Sequence, residues 1–130
     1  MAVSVEELSA VPALALLSGA ELASLAVSAE RIEIPAAGVE LAKEGDFGHS
    51  VFVVVRGAAQ VTVDGIAVRD LGEGDAFGEI AVLASGRRTA SVTSKTPMTL
   101  ITLFKRDIWK LEQDNPAFGE QLRKLTERRS

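Results

Sequence analysis

A carboxylate and a guanidinium, Glu79 and Arg88, stand nine positions apart on either side of the apolar stretch Ile80-Ala81-Val82-Leu83. That stretch is long enough for one helical turn and too short for an independent helix. Such a turn leaves backbone N–H groups near Ile80 and Ala81 unpaired, and unpaired N–H groups at a helix start attract anions. Gly78, with no Cβ, lets a ligand approach the backbone closely. Arg88 offers a planar fork of donors that suits a phosphate held against those N–H groups. It also opens a strand-like alternation, with Ala90 and Val92 on one face and Thr89 and Ser91 on the other. An ionised Glu79 can only accept hydrogen bonds, so beside a phosphate it needs a hydroxyl donor. An anion and a hydroxyl on one small ligand describe a sugar phosphate. The same residues also fit a tight turn in which Glu79 and Arg88 form a surface ion pair.

The run from Phe77 to Val92, FGEIAVLASGRRTASV, resembles the phosphate-binding cassette of cyclic-nucleotide-binding domains, with the pattern F-G-E-[IL]-A, a short spacer and R-[TSA]-A-[ST]-V. The match covers 16 residues without a gap. The resemblance implies that Glu79 binds the ribose 2′-hydroxyl and Arg88 the cyclic phosphate of cyclic AMP or cyclic GMP. The backbone of Gly78, Ile80, Ala81 and Ala90 then closes around both groups, and no cofactor is implied. Val61 occupies the strand position that packs on the base in several members; a plain core valine is the alternative. Thr89 resembles the cyclic-GMP-responsive members, where a hydroxyl bridges the phosphate and the guanine amino group. A threonine selected for β-propensity at a strand start is the competing explanation. Arg128 and Arg129 match the region from which an arginine reaches over the base in some channel-type relatives, or else they form a charged, fraying terminus.

Elements able to position these groups are readable around them. Ser4-Val5-Glu6-Glu7 and Ser18-Gly19-Ala20-Glu21 have capping-box spacing and open two amphipathic helices, with Pro12 interrupting between them. From Arg31 the period changes to two: Ile32 and Ile34, then Val39 and Leu41. Val51 to Val55 is too uniformly apolar for one wet face and predicts a buried strand. Ala59, Val61 and Val63 run to Asp64-Gly65, a hairpin signal, after which Ile66 and Val68 return. Strands over Thr89–Ser94 and Met98–Leu103 flank Thr96-Pro97. About eight short strands with regular turns predict a mainly β fold, an eight-stranded jelly-roll (double Greek key) barrel flanked by N-terminal and C-terminal helices. Helical spacing returns near Arg106. Ile108 and Leu111 share a face, Asn115 and Pro116 mark a new helix start, and Phe118, Leu122 and Leu125 form its stripe. The expected organisation is one domain, 1–130: helices in 1–28, the barrel in 30–104 with its cassette at 77–92, and helices in 105–130 that the resemblance makes hinge and lid.

Composition narrows the function. The chain of 130 residues has a net charge of −4, and aromatic residues make up 5% of it, which argues against a nucleic-acid partner. No apolar run is long enough to span a bilayer, and the start lacks the charge and apolar pattern of a signal peptide. With no cysteine, the setting expected is cytoplasmic. His49, the one histidine, cannot build a multi-histidine metal site and reads as a surface turn residue. Trp109 reads as hinge packing and Arg87 as the solvated neighbour of Arg88, since adjacent strand residues face opposite ways. No catalytic constellation is evident, so a sensor that closes its C-terminal helices on ligand is expected and an enzyme is not. The resemblance implies an effector: a channel, a kinase, a transferase or a cyclase. The chain ends one helix after the barrel, leaving no room for a helix-turn-helix, so a partner protein or a longer parent chain is expected. A degenerate barrel that serves only as an interaction domain is the alternative, and the presence of both Glu79 and Arg88 argues against it.

Overall fold

The computed structural model describes residues 3–78 and 86–129, without the side chains of residues 123 and 125–129. Ser4 and Ser18 each open a helix through the reciprocal bonds that their spacing predicts. The Ser4 hydroxyl accepts from the Glu7 N–H at 3.1 Å while the Glu7 carboxylate accepts from the Ser4 N–H at 3.1 Å, starting α1 (Val5–Ser9). Ser18 and Glu21 repeat the arrangement at the start of α2 (Gly19–Ser28). Pro12 begins a single 3₁₀ turn between them.

The described residues then form β1 (Glu30–Ile34), β2 (Glu40–Ala42), β3 (Ser50–Arg56), β4 (Ala59–Val63), β5 (Ile66–Leu71), β6 (Ala76–Phe77), β7 (Ser91–Ser94) and β8 (Met98–Phe104). They pair in two antiparallel four-stranded sheets, ordered β1-β8-β3-β6 and β2-β7-β4-β5. Each sheet alternates strands from early and late in the chain, which is the jelly-roll arrangement. Asp64 and Gly65, at φ 52° and 79°, make the predicted hairpin turn, in which both central residues take positive φ. The strand expected from Thr89 begins instead at Ser91, and Thr89 and Ala90 form a bend that leads into it.

Strands β3 and β8 are buried on both faces. Val54, Met98 and Leu100 point between the sheets and meet Ala59, Val61, Leu71, Phe77 and Val92. Val51, Val53, Ile101 and Leu103 point the other way, onto Leu8, Leu14, Leu22 and Leu25 of the N-terminal segment. Ile108, Leu111, Phe118 and Leu122 complete that second core from α3 (Lys105–Asp114) and α4 (Pro116–Arg129). The helices thus cover the outer face of the β1-β8-β3-β6 sheet, which is why the valine run has no wet side. Asn115 caps α4, its side-chain oxygen accepting from the Phe118 N–H at 3.2 Å. Its amide nitrogen donates to the Leu16 carbonyl at 3.0 Å and to Glu21 at 3.2 Å, tying the C-terminal helices to the N-terminal ones.

Candidate functional site

Arg88 is held by backbone pairing outside the regular strands. The loop between β2 and β3 runs antiparallel to residues 86–88. The Gly48 N–H donates to the Gly86 carbonyl at 3.0 Å, the Arg88 N–H to the Asp46 carbonyl at 2.6 Å, and the Gly45 N–H to the Arg88 carbonyl at 2.9 Å. Successive side chains on such a segment part to opposite sides. Arg87 is exposed, donates to the Gly45 carbonyl at 3.0 Å and lies 4.3 Å from the centre of the Phe47 ring. Arg88 is half-buried, and its Nη1 donates to the carbonyls of Gly78 and Ser50, both at 3.1 Å. Its guanidinium sits 5.4 Å from the centre of the Phe52 ring, which stacks on Phe77 at 5.1 Å.

Gly78 has φ 92°, and a Cβ there would fall on Arg88 Nη1 and within 2.8 Å of the Ser50 carbonyl oxygen. The glycine is required by the close approach of the arginine itself, a constraint that the sequence reading assigned to the ligand. Beside Arg88 opens a pocket of about 230 Å³, lined also by Glu40, Leu41, Ala42, Lys43, Asp46 and Phe47. It combines two cations, Arg88 and Lys43, with two carboxylates and apolar strand residues, a composition suited to a small polar ligand with an anionic group.

Other residues singled out from sequence fall in several places. Glu79, Ile80 and Ala81 lie outside the described residues, as do the side chains of Arg128 and Arg129. Thr89 is exposed next to Arg88, and Ala90 packs on the inter-sheet core. Val61, 2% exposed, belongs to that core. His49 is exposed, as expected, but lies in extended loop backbone just before β3 and not in a turn; its carbonyl accepts from the Lys105 N–H at 3.0 Å. Trp109 is 46% exposed with the Lys105 ammonium 4.9 Å from its ring centre, so it is a surface residue of α3 and not hinge packing. Its place one position beyond the buried Ile108 turns it about 100° away from the core stripe.

One residue absent from the sequence reading shares a face with Val61. Strand β5 carries one extra residue relative to β4: Val61 pairs Arg69 and Thr62 pairs Ala67, leaving Val68 as the bulge. Directly opposed residues share a face, so Arg69 lies on the side of Val61 and Leu71, the side that lines the barrel. Arg69 is nonetheless exposed, as is Ile66 at 69%, which marks that end of the β4–β5 hairpin as an open part of the lining. Alternation from Ile66 and Val68 hides this because the bulge shifts the phase. The available signal was Leu71, whose apolar side chain two positions on implies the face of Arg69.

The sequence and fold both have known relatives. The family model for the cyclic nucleotide-binding domain matches residues 36–115. A cyclic nucleotide-gated potassium channel of Rhizobium etli is 33% identical over 115 residues, covering 88% of this chain and 32% of the channel. A cAMP-dependent protein kinase regulatory subunit of Eremothecium gossypii is 36% identical over 105 residues, covering 80% of this chain and 23% of that subunit. The chain therefore spans a third or less of the length of these relatives. Among solved structures, the sensor domain of the transcriptional regulator DNR from Pseudomonas aeruginosa superposes with a TM-score of 0.84 at 16% identity, covering 97% of this chain and 92% of that one. The regulatory domain of Toxoplasma gondii PKA with cAMP superposes with a TM-score of 0.81 at 21% identity, covering 95% of this chain and 47% of that one. With the cassette, the jelly-roll strand order and the family match in agreement, this chain belongs to the cyclic nucleotide-binding domain family.

Proposed function

We propose that this domain binds a cyclic purine nucleotide and passes the binding event to an effector through its C-terminal helices. The observation that carries the reading is the half-buried Arg88 guanidinium, aimed at the cassette glycine Gly78 beside a pocket of about 230 Å³. Arg88 takes the cyclic phosphate, and Glu79 accepts from the ribose 2′-hydroxyl. The backbone of Gly78, Ile80, Ala81 and Ala90 closes around both. The base lies along the barrel lining over the Val61 side of the β4–β5 hairpin. There Arg69 can present two parallel donors to the O6/N7 edge of guanine, an edge that adenine offers as one acceptor and one donor. Thr89 adds a hydroxyl on the phosphate side. Both features favour cyclic GMP while leaving cyclic AMP bound.

Ligand binding then shifts an equilibrium between arrangements of α3 and α4, with Arg128 or Arg129 reaching over the base in the closed form. The relatives that are channels and kinase regulatory subunits support an effector of one of those kinds. The reading is tested by calorimetric titration with cyclic AMP, cyclic GMP and linear AMP. Cyclic nucleotides are expected to bind at micromolar concentration or tighter and the linear phosphate far more weakly, because it is bulkier and carries more charge. Equal affinity for AMP and cyclic AMP would sink the assignment of the cassette.

A further inference from the structure

The segment Gly48-His49-Ser50 is gripped from two sides. On the cassette side, the Gly48 N–H donates to Gly86 at 3.0 Å and the Ser50 carbonyl accepts from Arg88 Nη1 at 3.1 Å. On the helix side, the His49 carbonyl accepts from the Lys105 N–H at 3.0 Å, and Lys105 is the first residue of α3. Consecutive carbonyls in extended backbone point opposite ways, so one peptide faces the arginine and the next faces the helix. The start of α3 has no side-chain cap at Phe104, so the N–H of its first residue depends on that loop carbonyl.

We propose that this segment is the coupling element between the phosphate arginine and α3, resting on the nucleotide-binding reading above. A phosphate is a stronger, charged acceptor for a guanidinium than a peptide carbonyl. When it draws Arg88 toward itself, the Ser50 carbonyl loses its charged donor and Gly48-His49-Ser50 re-seats. The His49–Lys105 bond then loosens, and the first turn of α3 is free to tilt. The path is a continuous set of hydrogen bonds about one segment and does not pass through the end of α4.

Lys105→Pro tests it. Proline fits the first helical position, and Phe104 already has the extended φ −87° and ψ 144° that a residue before proline needs. The variant deletes the donor to His49 and keeps the helix. Lys105→Ala keeps the N–H and removes only the ammonium from over Trp109. Trp109, the sole tryptophan, reports on α3 by its emission. Each protein is titrated with cyclic AMP and cyclic GMP by calorimetry and by fluorescence. Lys105→Ala is expected to keep a nucleotide-dependent emission change and Lys105→Pro to lose most of it, with affinities in both within about threefold of wild type. In the unmodified chain, hydrogen exchange at the Lys105 amide is expected to speed up about tenfold on saturation with nucleotide. Heat of binding together with equal emission responses in the two variants overturns the coupling alone. No heat in the unmodified protein overturns the nucleotide reading and the coupling with it. If Lys105→Pro fails to fold, the exchange rate decides, and an unchanged rate overturns the proposal.

Discussion

Arg88 has a structural role in the fold and a proposed one toward the nucleotide phosphate, and the two separate experimentally. As the cationic partner of a bound phosphate, its loss in Arg88→Ala is expected to cost about 2–5 kcal/mol of nucleotide affinity. As the donor to the Gly78 and Ser50 carbonyls, its loss also costs about 1–3 kcal/mol of folding stability, since bonds from a charged donor are worth more than neutral ones. Calorimetry and urea unfolding measure the two losses independently; affinity within about threefold of wild type would remove the phosphate role. Specificity also belongs at this scale. Arg69→Ala is expected to weaken cyclic GMP by about 1–3 kcal/mol, the worth of a bidentate contact to guanine. Thr89→Ala weakens it by about 0.5–1.5 kcal/mol, one neutral hydrogen bond. Both leave cyclic AMP less affected. Equal losses for the two nucleotides in both variants would leave no basis for a guanine preference.

Among the elements, the lid role proposed for α4 conflicts with its place in the core. A lid has to move, yet Phe118 and Leu122 of α4 are 0% and 3% exposed and sit in the core with Leu8, Leu14 and Ile108. Phe118→Ala is expected to destabilise the fold by about 3–5 kcal/mol, the cost of a large cavity at a fully buried aromatic. Thermal or urea unfolding reads this directly, and a loss below about 1 kcal/mol would mean that α4 is not part of the core. Under the proposed closure, α4 would pivot about its buried N-terminal half and leave Phe118 docked. Asn115 suits that pivot, because it caps α4 while its amide holds Leu16 and Glu21 on the opposite helices.

At the scale of the molecule, the N-terminal helices are joined to the barrel by charge as well as by apolar packing. Arg31 of β1 donates to both oxygens of Glu7, the carboxylate that also completes the capping box of α1. These bonds, with Arg31 the larger influence and the Ser4 N–H next, hold the Glu7 carboxyl below its ordinary value of 4.5. A carboxyl whose folded value is depressed stabilises the fold fully above its unfolded value. That contribution declines as the pH falls from 4.5 toward the folded value and is gone below it. Glu7→Gln is therefore expected to cost about 1 kcal/mol at neutral pH, where the side chain is partly screened by solvent, and nothing in strong acid. Unfolding free energies of the two proteins across that range check the sign; a constant gap at all pH values would place the effect elsewhere.

The local features were legible in the sequence because each rests on a few adjacent residues. The capping boxes at Ser4 and Ser18, the Asp64-Gly65 hairpin, the doubly buried run at Val51–Val55 and the start of α4 at Asn115-Pro116 all appear where their spacing puts them. Contiguity also made the cassette readable: Gly78, Glu79 and Arg88 lie within one short segment, so their types and spacing sufficed to suggest a sugar phosphate. Tertiary structure decided what depends on distant neighbours. The bulge at Val68 sets which face Arg69 occupies, and it exists only in the register of β5 against β4. Gly78 is pressed by a guanidinium ten residues on and by a carbonyl from another strand. The start of α3 leans on a loop carbonyl more than fifty positions earlier, and no local sequence rule can carry a hydrogen bond between residues that only folding brings together.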